Sequence, residues 1–324
     1  WERETGIMSQ QSKAIAIVAS VIIVLGGLIY AMTLYKPDFN GATIDETKTE
    51  DLQAGDSLSI VSSLCSVTVT ADDEATGVTA HLYGTAVGLG EEPKLEIVRS
   101  GSAVTVRTGR PGLRFFGWNV RMKLDIVVPA GFSGGFSCSS SAGSVSVECD
   151  MAVDSFSVSS SAGSVRVRNV RSQGAADVSS SAGSVNAGDI EAASADIHSS
   201  AGSVSVGSCR AGTINVHSSA GSISARGLSG TVNASSSAGS VSVTLEEITG
   251  DADISSSAGR VTVALPANAN ANIDASTSAG SVSINNLSIA VETQKKNKVV
   301  GRLGDGGPRI VVHSSAGSVE LNGQ

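Results

Sequence analysis

Over most of the chain apolar and polar side chains alternate with period two. The alternation is interrupted at near-constant intervals by the string Ser-Ala-Gly-Ser, once Ser-Ala-Gly-Arg. The string occurs nine times, with glycines at Gly143, Gly163, Gly183, Gly202, Gly221, Gly239, Gly259, Gly280 and Gly317. The intervals are 20, 20, 19, 19, 18, 20, 21 and 37 residues. A period near twenty with no helical pattern between copies predicts a single-stack β-solenoid (β-helix), one coil per repeat.

Aligning the repeats on the glycine exposes the expected core. Two residues after it stand Val145, Val165, Val185, Val204, Ile223, Val241, Val261, Val282 and Val319. Apolar residues recur four after it, from Val147 to Leu321, and five and seven before it, from Cys138 and Phe136 onward. The positions between are mostly Ser, Asn, Asp, His or Thr. Each coil should therefore hold two short strands with one face inward, flanking a glycine corner. A corner needing φ > 0 would explain the glycine. The alanine that always precedes it suits a crowded inner corner. Ser160 and its equivalents, three before the glycine, share parity with the inward set. Either they point inward and form a hydroxyl ladder, or the strand breaks there and turns. Nine coils at about 4.8 Å each make a rod on the order of 43 Å.

The flanks are less regular. Ile60–Val69 matches the repeat with Cys65 in the place of the glycine, and strand-like runs follow to Val128. Residues 56–135 are therefore expected to form an irregular β cap, and 136–324 the solenoid. An insertion at about 287–308, with Lys295, Lys296 and Lys298, is expected as a loop or hairpin departing from the stack.

Ala14–Leu34 is a run of 21 residues without a charge. At 1.5 Å per residue it spans about 32 Å, one bilayer core. No small-x-small cleavage site follows it, so an uncleaved anchor is expected rather than a signal peptide. Lys13 precedes the span, and Asp38, Asp45, Glu46, Glu50 and Asp51 follow. The positive-inside rule then places residues 1–13 in the cytoplasm as a short tail and the solenoid outside the cell. Residues 35–55 are expected to be a tether.

Composition narrows the function classes. The formal charge of −8 disfavours a nucleic-acid partner, which wants a basic face. Aromatic residues at 3% disfavour an aromatic-lined ligand pocket, and the Val- and Ala-rich apolar fraction disfavours a helical bundle.

At this point the chain resembles a family of bacterial and archaeal β-strand-repeat domains classed as adhesins, with no agreed activity. The resemblance rests on three features. A strand ends in a proline at Leu124–Pro129; Ser-x-x-Gly-x-Val-x-Val coils follow; and Gly306-Gly307-Pro308 leads into the last coil at Ser315–Val319. It covers about residues 50–324. It implies a membrane-anchored surface β-repeat fold and supplies no catalytic residues.

Candidate chemistry is sparse. His198 and His217 lie four before consecutive glycines, so they should stack about 4.8 Å apart, close enough to share a metal. No third ligand is evident, and His313 stands in the same place five glycine coils on. Asp177 with Asp196, and Asp253 with Asp274, form two pairs expected on adjacent coils. They lack the calcium-binding glycine-aspartate repeat, and a solvated face is the better account. Of the four cysteines only Cys138 and Cys149 share a coil and could pair. Asn233 and Asn286 open glycosylation sequons. No nucleophile stands out among the equivalent serines, so no catalytic residue, cofactor or metal is expected.

The sequence therefore leads to a non-enzymatic cell-surface solenoid, adhesin-like or envelope-structural. It would be held in the membrane by residues 14–34 and would meet an envelope ligand through a solenoid face or the 287–308 loop. The alternatives are a β-helix enzyme acting on envelope polysaccharide, or a sensor or scaffold subunit of an envelope-stress assembly.

Overall fold

Twenty-five strands stack into one continuous ladder in the computed structural model, which describes residues 42–87, 93–109 and 119–324. The expected cytoplasmic tail, membrane span and first part of the tether lie outside the described residues. No helix among the described residues is long and apolar enough to cross a membrane.

The repeats stack in parallel and in register. Val165 pairs with Val145 on one side and Val185 on the other, and Val185 with Val204. The aligned apolar columns are the core: Val158, Val178, Ile197 and Val216 are all essentially inaccessible to solvent. Burying each Val or Ile stabilises by roughly 1.5–3 kcal/mol, so small side chains suffice when every layer contributes several.

A fifth inward column accompanies the four expected ones. Met151, Val170, Ile190, Cys209, Leu228 and Leu245 pair layer to layer, and all are buried. In the Gly183 layer the inward parity runs Val185, Ala187, then Ile190, then Ala195, Ile197 and Ser199. Two breaks in parity divide the coil into three straight segments rather than two.

Both ends are interleaved. The coil Ser57–Asp72 lies between the layer of Ala103–Thr108 with Asn119–Pro129 and the Gly143 layer. At the other end the last coil of the chain, Arg309–Gly323, lies between the Gly259 layer and the Gly280 layer. The stack thus has eleven layers, about 48 Å over ten spacings, and its outermost layers are not the first and last in sequence.

Antiparallel strands close each end. Gly77–Val87 lies on Asn119–Pro129, Ala42–Asp51 on Gly77–Val87, and Leu95–Ser100 on Ala103–Thr108. Ala42–Asp51 was expected as tether. It is an edge strand held by backbone pairing, and from Thr43 to Asp51 Ile44 alone is buried, so no apolar alternation announces it. The insertion is a hairpin, Ile289–Lys295 with Lys298–Leu303. It does not depart from the stack. Its second strand pairs antiparallel with Ala271–Thr277, and Val299 and Leu303 are buried over the last layer.

Candidate functional site

One hydrogen-bond clasp recurs at the corners. Ser199 lies inside with no exposed surface. Its hydroxyl accepts from the Gly202 N–H at 2.9 Å and donates to the Gly183 carbonyl of the layer before at 2.8 Å. Ser160, Ser180, Ser218 and Ser236 make the same two bonds. Cys65 takes the glycine's part in the degenerate coil, with Ser62 bonded to its backbone and Ser140 donating to its carbonyl. The inward-or-turn question is thereby resolved: these serines point in, and their hydroxyls satisfy corner backbone groups that the ladder leaves over.

The corner glycines do not adopt positive φ, contrary to expectation; the positive-φ glycines are other residues such as Gly55 and Gly227. What the corner requires is space. A Cβ on Gly183 would meet the Gly163 carbonyl and the Ser164 nitrogen closer than 3.0 Å. The same clash recurs from Gly143, against Cys65, through Gly317, against Gly259, to Gly280, against Gly317. The preceding alanines, such as Ala162 and Ala201, are exposed on the outside of the turn rather than in a crowded inner corner.

His198 and His217 are register partners on adjacent layers, as the spacing implied. His198 Nδ1 lies 3.2 Å from Asp196, and His217 Nδ1 lies 3.0 Å from the Ser235 hydroxyl. No group of three or more metal-ligating side chains occurs among the described residues. His313 is three layers from His217, not four, because the last coil is threaded inward; its neighbours are Ser255 and Ser276. The same threading separates Asp253 from Asp274, with Val311 between them. Asp274 instead lies between Lys298 at 3.4 Å and Arg309 at 3.3 Å.

Asp177 and Asp196 are neighbours. One Asp177 carboxylate oxygen is buried without a hydrogen-bond partner. Burial, and then the charge of Asp196, raise its pKa above the usual carboxylate value, against a smaller opposing effect of His198.

The third segments of successive layers form a shallow groove of about 400 Å³. Asp150, Asn169, Asp189 and Ser208 make one row, and Arg171, Glu191 and Arg210 the next. The charges neutralise one another locally. Arg171 holds Glu191 at 2.9 Å, Arg168 holds Asp150 at 3.2 Å and Ser208 donates to Asp189 at 3.0 Å. Sequence reasoning missed this face. Its signal was the apolar residue six to eight places after each glycine, whose varying offset hides it from a fixed alignment.

All four cysteines are free. Cys138 sits in an inward column between Ile60 and Val158, and Cys149 is partly buried near the Val69 carbonyl. Burial pushes the Cys138 and Cys209 thiols up to about 12.

No curated protein matches the sequence. Three solved structures are similar in part. A candidate adhesin from Parabacteroides distasonis is 12% identical, over 87% of this chain and 98% of that one, with a TM-score of 0.44. A candidate adhesin from Bacteroides fragilis is 11% identical, over 86% and 98%, with a TM-score of 0.42. A candidate cell adhesion protein from Clostridium sporogenes is 11% identical, over 87% and 100%, with a TM-score of 0.23. The family model described as Toastrack DUF4097 matches residues 56–322, nearly the whole serine-clasped stack with its interleaved ends, and the chain belongs to that family.

Proposed function

We propose that this chain is a non-enzymatic cell-surface rod, adhesin-like or envelope-structural, retained in the membrane by residues 14–34 with the solenoid outside. The observation that carries the reading is the rigid repetition of the outward positions. Parallel ladders and serine clasps hold Ser159, Ser179, His198, His217 and Ser235 in register along one face. Hydroxyl and imidazole groups repeating every 4.8 Å or so suit a repetitive polymer better than a single small molecule. The interior columns form one contiguous hydrophobic cluster, which also favours a structural role. The uncharged span at 14–34 with acids after it supports the topology.

Residues 42–324, immobilised, are expected to retain purified envelope polysaccharide or peptidoglycan. A Ser159→Glu/Ser179→Glu/Ser235→Glu variant should lose that retention while melting like the parent. Retention by the variant equal to the parent would overturn the role of this face. Protease added to intact cells should remove the solenoid; protection would invert the topology.

The groove favours a second reading, an enzyme on envelope polysaccharide, since it gathers Asp150, Asp189 and Glu191. It ranks second because those carboxylates are solvated and already partnered. Release of reducing ends from the polysaccharide, abolished by Asp189→Asn or Glu191→Gln, would establish it and displace the first.

A further inference from the structure

We propose that the two ends of the stack are complementary docking faces for a second copy of this chain, joined head to tail. The first observation is apolar exposure. Val61, Leu64, Val98 and Val291 are the exposed large hydrophobics among the described residues, and none lies on the middle layers. Val98 stands on Leu95–Ser100, the outermost strand at one end, and Val291 on Ile289–Lys295, the outermost at the other.

The second observation is strand pairing. One sheet runs from Leu95–Ser100 through Ser57–Ser62, Phe136–Ser140 and the successive layers to Ala271–Thr277, Lys298–Leu303 and Ile289–Lys295. Its two terminal strands, six and seven residues long, each have a ladder partner on one side only among the described residues, although at Leu95 the backbone N–H and carbonyl are bonded by the Glu46 and Lys48 side chains. Continuing the stack with another copy brings these two edges together, Val291 against Val98.

The third observation is charge. Strand Ala42–Asp51 carries Asp45, Glu46, Glu50 and Asp51 against Lys48, four carboxylates to one cation; Glu46 pairs with Lys48, Glu50 with Arg99 of the adjoining strand and Asp45 with His81, while Asp51 keeps its charge open. The hairpin Ile289–Leu303 carries Lys295, Lys296, Lys298 and Arg302 against Glu292, four cations to one carboxylate. Asp51, Lys295 and Lys296 make no ion pair among the described residues. The hairpin tip is tied to the neighbouring sheet, since the Val282 N–H donates to the Lys296 carbonyl at 2.9 Å. That sheet's opposite end is Ala42–Asp51. Head-to-tail continuation therefore sets the lysines over the acids, whereas like ends repel. Exposed edge lysines usually serve to block pairing; here they block it only between like ends. A heterologous contact of this kind does not close, so it makes open chains rather than dimers.

All described core residues fall within 44–321, in the compact unit Ala42–Gln324, so that fragment carries its own core. Sedimentation velocity at about 10 mM ionic strength, where charges act over about 30 Å, should show concentration-dependent species beyond dimer. About 1 M salt should dissociate them. Lys295→Glu/Lys296→Glu and Asp45→Lys/Asp51→Lys should each remain monomeric alone, melt like the parent, and associate when mixed. Val291→Glu should weaken the parent's association at least tenfold. A parent that stays monomeric or stops at dimers, charge variants that associate alone as the parent does, or a mixture that fails to associate would each overturn the proposal.

Discussion

Replacing Ser199 by alanine removes one oxygen and no packing volume of consequence, yet it should be among the more damaging small substitutions in the molecule. Two backbone groups lose their partner: the N–H of Gly202 at 2.9 Å and the carbonyl of Gly183 at 2.8 Å. Leaving a buried polar group unsatisfied costs about 1–3 kcal/mol. Both glycines are half-buried, so water recovers part of the loss. The expected sum is roughly 2 kcal/mol rather than the full double penalty. Ser200, the next residue, is exposed, and Ser200→Ala should change stability by less than about 0.5 kcal/mol. Threonine offers an internal control. Thr277 occupies the equivalent place in the Gly280 layer and donates to the Gly317 carbonyl at 2.6 Å, so Ser199→Thr should keep the bond to the Gly183 carbonyl and fall between parent and alanine. Equilibrium urea unfolding of residues 42–324, followed by circular dichroism, measures all three as midpoint shifts at constant slope. Equal shifts for Ser199→Ala and Ser200→Ala would refute the idea that the interior hydroxyl holds the corner.

Gly183→Ala should destabilise strongly although φ is permissive, because the new Cβ meets the backbone of Gly163; a melting temperature unchanged from the parent would show that the layers can part cheaply. Asp177 has a raised folded pKa, so the folded state binds its proton more tightly than the unfolded one, and stability falls as pH rises from the ordinary carboxylate value through the raised one. Asp177→Asn is therefore expected to raise the melting temperature at neutral pH, with the gain vanishing below about pH 4; a gain independent of pH would place its cause elsewhere. In native protein Cys149 should react first with a thiol reagent, and Cys65, Cys138 and Cys209 only in denaturant, since those three are buried; a fast phase that persists in Cys149→Ser would contradict this.

The coils were legible because parity and the glycine mark agree over nine copies, and because inward residues meet apolar partners above and below, as Val206 meets Ala187 and Ala225. Two classes of feature were not. The third segment escaped because register shifts, as between Ala225 and Leu228, let its apolar residue slide against the glycine. The order of layers escaped because parallel pairing between near-identical coils is degenerate in sequence. Nothing in Val312 itself says that it will lie between Ile254 and Ala275 rather than beyond Ala275. Only the antiparallel return of Lys298–Leu303 over Ala271–Thr277 forces the later coil inward. The glycine was recognised for the wrong reason, since a sequence reports that a side chain is forbidden without saying whether torsion or a neighbouring carbonyl forbids it.

The interleaved ends alter how such a stack can come apart. In a plain solenoid the final coil peels first, and each loss uncovers the next. Here the final coil, Arg309–Gly323, is gripped on both sides, and its release needs the Gly280 layer and the hairpin above it to lift beforehand. The initial coil, Ser57–Asp72, is gripped in the same way. Release of either gripped coil must therefore wait until another part of the chain has lifted away. Whole coils between the two latches can be gained or lost during evolution without disturbing either, so the rod's length is free to vary while its resistance to fraying stays constant.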